Sequence, residues 1–373
     1  MKEPLTIPLI QQKVVFGCDP EFFFEKKGKV IGSEKVLDID KGYLVGTGQG
    51  NSTYDYGLYS KFVVDGVQAE LNPKPNGCRA NLANEISQCF KMLYNKINPD
   101  KELSVNFGTT IKIDKKELMS LNEKSRKFGC MPSKNINPKS ENVVNLKDPT
   151  KYRFRSAGGH IHLGVEYQGD PTAIVFREPE RLVRMMDIIV GNTCVLIDRN
   201  PGNKERRKVY GKAGEYRTPE HGVEYRTLSN FWLRSYPLMS FVMGMSRTAI
   251  SILSNSMPGR DYETELLSLV DMKKIERAIN TNNFQLAWEN FQDIKPFFTR
   301  VMPDNDTFPL SSGNLDAFEF FVSKGIDEWF KEDPIKHWMK IPEGHTAGWE
   351  TFLRTIVKPK MIANKRTPAP DIK

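Results

Sequence analysis

Two of the chain's five histidines stand two residues apart inside a glycine frame, Ala157-Gly158-Gly159-His160-Ile161-His162-Leu163-Gly164. In an extended strand, residues i and i+2 project to one face. His160 and His162 then share a face, and Ile161 and Leu163 supply the apolar one. Glycines beside such a strand let another backbone or a ligand come close. A lone histidine is ordinarily a satisfied core residue. A pair at this spacing presents two imidazoles together, which suits a metal or a phosphate.

Three further segments repeat the pattern of polar groups at strand spacing inside apolar sequence. Gly17-Cys18-Asp19-Pro20-Glu21-Phe22 places the carboxylates of Asp19 and Glu21 side by side, flanked by Phe16 and Phe22–Phe24. Like charges so close repel, and burial raises the cost. Mg²⁺, which prefers carboxylate oxygens, relieves both; an edge strand with its charges in water is the plain alternative. In Val64–Pro73, residues Gln68, Glu70 and Asn72 share a face where a strand would usually show Val or Ile. Arg206–Trp232 carries Glu-Tyr-Arg twice, at Glu215–Arg217 and Glu224–Arg226. A carboxylate for metal beside a guanidinium for phosphate matches the needs of phosphoryl transfer, which is largely positioning and charge neutralisation. Structural Glu–Arg ion pairs would give the same pattern. Lys212, between Gly211 and Gly214, lies in a loop able to close over a nucleotide. The sequence contains no Walker A or Rossmann glycine pattern and no serine nucleophile elbow.

Around these segments the chain reads as mixed α and β. Lys13–Glu25 is a strand interrupted at Asp-Pro, with Lys29–Leu37 as its hairpin partner. Phe62–Leu71 is a strand closed by a Pro/Asn/Gly turn, and Asn76 caps a helix whose apolar residues recur at helical spacing through Ile97. Leu103–Ile113, Tyr152–Tyr167 and Val223–Phe231 read as strands, Glu178–Ile197 and Pro237–Leu253 as helices. Asp40–Tyr59 and Asp198–Glu220 read as loops. Asp114–Thr150 is basic and punctuated by prolines, so it reads as an insertion or mobile loop. Past Arg260, helical patterns occur at Glu263–Val270, Met272–Ile279, Phe284–Gln292 and Leu315–Phe330. The expected organisation is a core over 1–260, a mostly helical C-terminal portion over 261–373 packed on it, and a weakly ordered basic tail from about 358.

The formal charge of +8 is local: eleven Lys/Arg face four Asp/Glu between Lys115 and Arg155, and seven face two between Arg199 and Arg217. Such blocks suit an anionic partner, either nucleotide phosphate or nucleic acid. No apolar run approaches the ~20 residues of a membrane span, and the N-terminal residues lack the pattern of a signal peptide. Five cysteines, an odd number without CxxC spacing, point to a reducing compartment, the cytoplasm.

In order and spacing, the four segments resemble the phage-type carboxylate–amine ligases (amidoligases) of the glutamine synthetase-like, glutamate–cysteine ligase superfamily. The resemblance spans roughly Val14 to Trp232 and rests on Asp19/Glu21, Gln68/Glu70/Asn72, His160/His162 and Glu224/Arg226. It implies an α+β fold: a glutamine synthetase-like domain with a curved antiparallel β-sheet and helices on its outer face. It implies ATP and Mg²⁺ (or Mn²⁺) as cofactors, and small-molecule or peptide carboxylate and amine substrates. The product would be an amide, formed through an acyl phosphate. The resemblance gives Asp19, Glu21, Glu70, His160 and Glu224 as metal ligands. Glu70, His162 and Arg226 become catalytic residues; Arg207, Lys212, Arg217 and Arg226 become phosphate contacts. The first acidic position is Asp-Pro where the wider superfamily more often has Glu, so Asp19 is the weakest member of the set. Two alternatives stand beside this reading. Cys18, next to the acidic pair, keeps open a guanidine- or phosphate-transferring enzyme of the same fold. The basic blocks keep open a non-catalytic nucleic-acid-binding phage protein.

Overall fold

The N-terminal strand breaks at Asp19-Pro20 and continues as two: β1 (Val14–Cys18) and β2 (Glu21–Lys26), which join different sheets. A computed structural model describes residues 14–37, 61–126, 133–137, 151–165, 174–254, 261–301, 314–325, 333–340 and 351–357. Beyond β2 come β3 (Lys29–Ile31), β4 (Lys61–Asp65), β5 (Gln68–Asn72), β6 (Leu103–Asn106), β7 (Thr110–Lys112) and β8 (Lys134–Asn135). They are followed by β9 (Phe154–Ser156), β10 (Ile161–Val165), β11 (Glu215–Arg217) and β12 (Gly222–Tyr225). One sheet runs β1-β10-β12-β11-β8; the other runs β3-β2-β5-β4, with β6 also on β2; β7 and β9 form a separate pair. Every recorded pairing is antiparallel. The protein is therefore α+β with antiparallel sheets and a helical C-terminal region, as expected.

Several expected strands are divided, each for a visible reason. Leu103–Ile113 splits at Asn106, whose side-chain Oδ1 accepts from the Gly108 backbone at 2.6 Å and turns the chain from β6 to β7. Tyr152–Tyr167 splits at Ala157–His160, so His160 precedes β10 rather than lying in it. Val223–Phe231 leaves the sheet after Tyr225 and ends in a short helical turn, Asn230–Arg234, which Ser229 caps. The loop read at Asp198–Glu220 contains the helix Gly202–Arg206 and strand β11.

The basic stretch 114–150 is, over its described residues, structured rather than a uniform loop. Asp114 caps the helix Lys115–Ser120 by accepting from the backbone of Lys116 and Glu117. Leu118 and Leu121 are buried with Phe23 in a small apolar cluster. β8 closes the edge of the first sheet by pairing with β11. The remainder of that stretch, the loop read at 40–59 and the tail from 358 lie outside the described residues.

The phenylalanine run shows why β2 is buried on both sides. Phe22 and Phe24 join the main core, and Phe23, facing the other way, joins the small cluster. Phe22 lies 5.4–5.9 Å, centroid to centroid, from Phe24, Phe62, Phe90 and Phe107. Phe90 belongs to the helix Arg79–Ile97, placed where the apolar spacing predicts it. The C-terminal helices share this core. Phe318 and Phe321 pack on Phe241 of the helix Tyr236–Ser254. Trp338 is fully buried 5.9 Å from Phe90, its indole N–H donates to the Leu233 carbonyl, and its own carbonyl accepts from Ser87. Trp338→Ala removes a large side chain and a satisfied donor, so it should cost about 3–5 kcal/mol, read as a lower urea midpoint at an unchanged slope. A midpoint within error of the parent would show that this helix does not contribute to the cooperative unit.

Candidate active site

Strand register assembles the candidate site. Across the first sheet, Gly17 of β1 faces His162 of β10, His162 faces Glu224 of β12, and Glu224 faces Arg217 of β11. Four sequence-distant residues thereby form one row. In the second sheet Glu21 of β2 faces Glu70 of β5, and Asp65 at the end of β4 faces Gln68 at the start of β5. The two-residue link Asp19-Pro20 joins the sheets, so the acidic groups of both come together at the junction.

Asp19 and Glu21 do not sit side by side on one strand. Each belongs to its own cluster. Asp19, His162 and Glu224 offer ligand atoms within 4.8 Å of one another; so do Glu21, Asp65 and Glu70. His160 adjoins the first cluster, its Nδ1 lying 3.0 Å from Asp19 Oδ1 and 3.4 Å from Glu224 Oε1. His162 Nε2 lies 3.4 Å from Asp19 Oδ2. Asp19, the weakest position in the sequence reading, thus contacts both imidazoles. Gly158 is needed for this packing, because a Cβ there would fall 2.4 Å from His160 Nε2.

The two clusters differ in charge balance. In the first, burial opposes ionisation of Asp19, but His160 and His162 override it and hold the carboxyl well below its ordinary range. Glu224 is shifted down as well: burial and Asp19 oppose, and the imidazoles and Arg226 prevail. Burial lowers His160, whereas Asp19 overcomes burial and raises His162. The second cluster has three carboxylates. Burial, then the neighbouring Asp65, push Glu21 up to about 8. Burial followed by Asp19 raises Asp65 and lifts Glu70 well above the usual range. Hydrogen bonds offset part of this. Glu21 Oε2 accepts from the Gly158 backbone at 2.6 Å and from the Tyr210 hydroxyl at 3.1 Å, and Glu70 accepts from Asn72 at 2.9 Å.

The basic residues divide into those at the clusters and those elsewhere. Arg226 is 2% exposed and lies between Glu224, to which it donates, and Glu215 Oε1 at 3.7 Å. Arg217 Nη1 lies 3.4 Å from Glu224 Oε2 and is less buried. Arg207 is buried away from the carboxylates, donating to Asn282 at 2.8 Å, and burial pushes it down to about 10. Arg206, beside it, donates to the carbonyls of Thr227 and Arg226. Those two arginines of the Arg199–Arg217 block are therefore internal. Lys212 has an exposed side chain. The first Glu-Tyr-Arg copy is structural at its glutamate: Glu215 accepts from Gly211, Lys212 and Ser133 and ties the loop together.

Three participants were not singled out from the sequence: Asp65, Tyr210 and His221. Asp65 lies in the same segment as Glu70 and could have been flagged as a third acid beside a Gly turn. Tyr210 and His221 carry no local signal; only the fold brings them to Glu21 and His162. Cys18 is buried, and burial together with Asp19 raises its thiol well above its ordinary value. That environment disfavours the thiolate that a nucleophilic role would need.

Comparison with known proteins bears on the region holding His160, His162, Arg217, Glu224 and Arg226. No curated protein matches the sequence significantly. Among solved structures, the chain is similar to a bifunctional glutathione synthetase from Pasteurella multocida, at 10% identity and a TM-score of 0.36. That alignment covers 85% of this chain and 53% of the other, so the chain spans about half the length of that structure. Residues 131–265 match the family described as Phage phiEco32-like COOH.NH2 ligase-type 2. That match covers 135 of the chain's 373 residues, and over this segment the chain is similar to that family of carboxylate–amine ligases.

Proposed function

We propose that the protein is an ATP-dependent carboxylate–amine ligase that works through an acyl phosphate, with divalent cations held at the sheet junction. The observation that carries this reading is the coincidence of the family match with the row His162–Glu224–Arg217, beside a second cluster of three carboxylates. The donor sets fit cations. Glu21, Asp65 and Glu70 offer only carboxylate oxygens, the ligand type of Mg²⁺ and Mn²⁺. In the other set, His160 turns its Nδ1 toward Asp19 Oδ1 and Glu224 Oε1, at 3.0 and 3.4 Å. Glu21, Asp65 and Glu70 would hold one ion; Asp19, His160 and Glu224 would hold another, with His162 beside it. Bound there, such ions neutralise phosphate oxygens.

The chain's own residues then have separable tasks. Arg217 and Arg226 lower the cost of gathering negative charge around Glu224. His162 faces the reacting groups from the strand. In the first step a substrate carboxylate oxygen bonds to the γ-phosphorus of ATP as the bond to ADP breaks. In the second, the amine attacks the acyl carbon, loses a proton and releases phosphate. Arg207 takes no part, since it is buried elsewhere.

Hydroxylamine is a general amine surrogate, so it tests the acyl phosphate without knowledge of the natural amine. With ATP, Mg²⁺, hydroxylamine and a panel of amino-acid and peptide carboxylates, the protein should form a hydroxamate with stoichiometric ADP. The reaction should stop when ATP or the carboxylate is omitted. ADP release that needs no carboxylate, with no hydroxamate from any of the panel, would refute the reading.

A further inference from the structure

The turn between β11 and β12 carries a group outside the proposed ligand sets. The ring of His221 lies edge to edge with that of His162, with centroids 5.0 Å apart and planes 18° from parallel. His221 Nε2 lies 2.8 Å from His162 Nδ1. The backbone is shaped to allow this contact. Gly164 and Gly222 are cross-strand partners. Gly222 has φ of +143°, and a Cβ there would fall 2.1 Å from the Leu163 carbonyl oxygen; a Cβ on Gly164 would fall 2.6 Å from the carbonyl oxygen of His221. With both side chains missing, the turn folds down onto the strand and sets His221 beside His162.

Two imidazoles joined at one N···N contact share a single proton there, so one ring donates and the other accepts. The opposite nitrogen of His162 faces Asp19. His162 is therefore held at both ends, by a carboxylate inside the site and by an imidazole at the turn. A histidine at a charged site has its presented nitrogen and ring orientation set by the partner of its other nitrogen. We propose that His221 is a positioning residue for His162: its N–H···N bond fixes the orientation of His162 and the nitrogen it presents to the reacting groups. The proposal rests on the ligase reading for what His162 then does; the contact between the rings does not.

The test uses the full chain, labelled with ¹⁵N-histidine, and three variants. His221→Phe keeps an aromatic ring and removes the hydrogen bond. His221→Gln keeps a hydrogen-bonding group and removes the ring. His221→Ala removes both. In the parent protein the His162 Nδ1 resonance should show a hydrogen-bonded shift, lost in His221→Phe and partly regained in His221→Gln. The kcat for hydroxamate formation should fall about 10- to 100-fold in His221→Phe and His221→Ala, with KM for ATP unchanged, and recover in part in His221→Gln. A merely structural His221 would instead leave His221→Phe like the parent and penalise only His221→Ala. An unaltered spectrum in His221→Phe overturns the proposal, and so does an altered spectrum with unaltered kcat. If the parent forms no hydroxamate, the ligase reading fails, and the spectra alone decide whether His221 orients His162.

Discussion

Glu70→Gln and Glu224→Gln should both lower hydroxamate formation by about 10²–10³-fold, yet shift stability in opposite directions. Glu70 is a half-buried carboxylate facing Glu21, with Asp65 and Asp19 adding to its unfavourable surroundings. An isosteric neutral amide keeps the shape and avoids the cost of ionising or protonating a carboxyl there, so the metal-free protein should unfold at higher urea. Glu224 has the converse setting: Arg226 donates to it, Arg217 lies 3.4 Å away, and His160 lies 3.4 Å away. Neutralising it removes the carboxylate to which the buried Arg226 guanidinium donates. Breaking a buried pair from one side costs about 3 kcal/mol or more. The pair of variants separates function from folding, because a common loss of turnover accompanies opposite midpoint shifts. Full turnover in both would remove the site assignment. A destabilised Glu70→Gln would show that the second cluster is not under repulsion.

How much of this was legible beforehand depends on the kind of residue. The helix Arg79–Ile97 and the buried helix over Pro237–Leu253 were readable because one periodicity dominates each. His160, His162, Glu224 and Glu70 were readable because each stands out against an apolar strand pattern. The division of the N-terminal strand was half readable: Asp-Pro marked an interruption, but nothing local says that the two halves enter different sheets. That sheet change separates Asp19 from Glu21 and makes Asp19 a neighbour of both histidines.

The remaining gaps are long-range. Tyr210 reaches Glu21 across 189 residues of chain. His221 reaches His162 through the paired glycines of β10 and β12. Charge patterning misled at Arg206 and Arg207, since a basic block on paper is divided by the fold into internal and external members. Glu215 and Glu224 share the same tripeptide and differ only in what lies opposite them. Glu215 faces Asn135 at the sheet edge, whereas Glu224 faces His162 near its centre.

The charge imbalance at the second cluster leads to a pH effect with a definite sign. Glu21 is raised to about 8, and Glu70 and Asp65 are raised too. A carboxyl whose folded pKa is raised binds more protons in the folded state than in the unfolded one, so stability falls as pH climbs from the unfolded pKa to the folded one. Asp19 and Glu224 are shifted down, and their favourable contribution is already complete above about pH 5. His221, lowered to about 4, and His160, also lowered, have no further gain above about pH 6.5. Asp187, raised to about 7 by burial, acts in the same direction as Glu21. Between pH 6.5 and 8 the raised carboxyls Glu21, Asp65, Glu70 and Asp187 therefore weaken the metal-free fold, and His162, also raised, acts in the same direction. A cation bound among Glu21, Asp65 and Glu70 reverses the trend, because it competes with the protons these groups hold. Mn²⁺ at a hundred times its Kd should add about 2.7 kcal/mol, and its affinity should be greater at pH 8 than at pH 6. The expected result is a metal-free melting temperature that drops from pH 6.5 to 8, and a Mn²⁺-induced rise that is larger at pH 8. The difference between the Mn²⁺-induced rises at the two pH values should shrink in Glu70→Gln. A Mn²⁺-induced rise of equal size at both pH values would show that cation binding displaces no protons from this cluster.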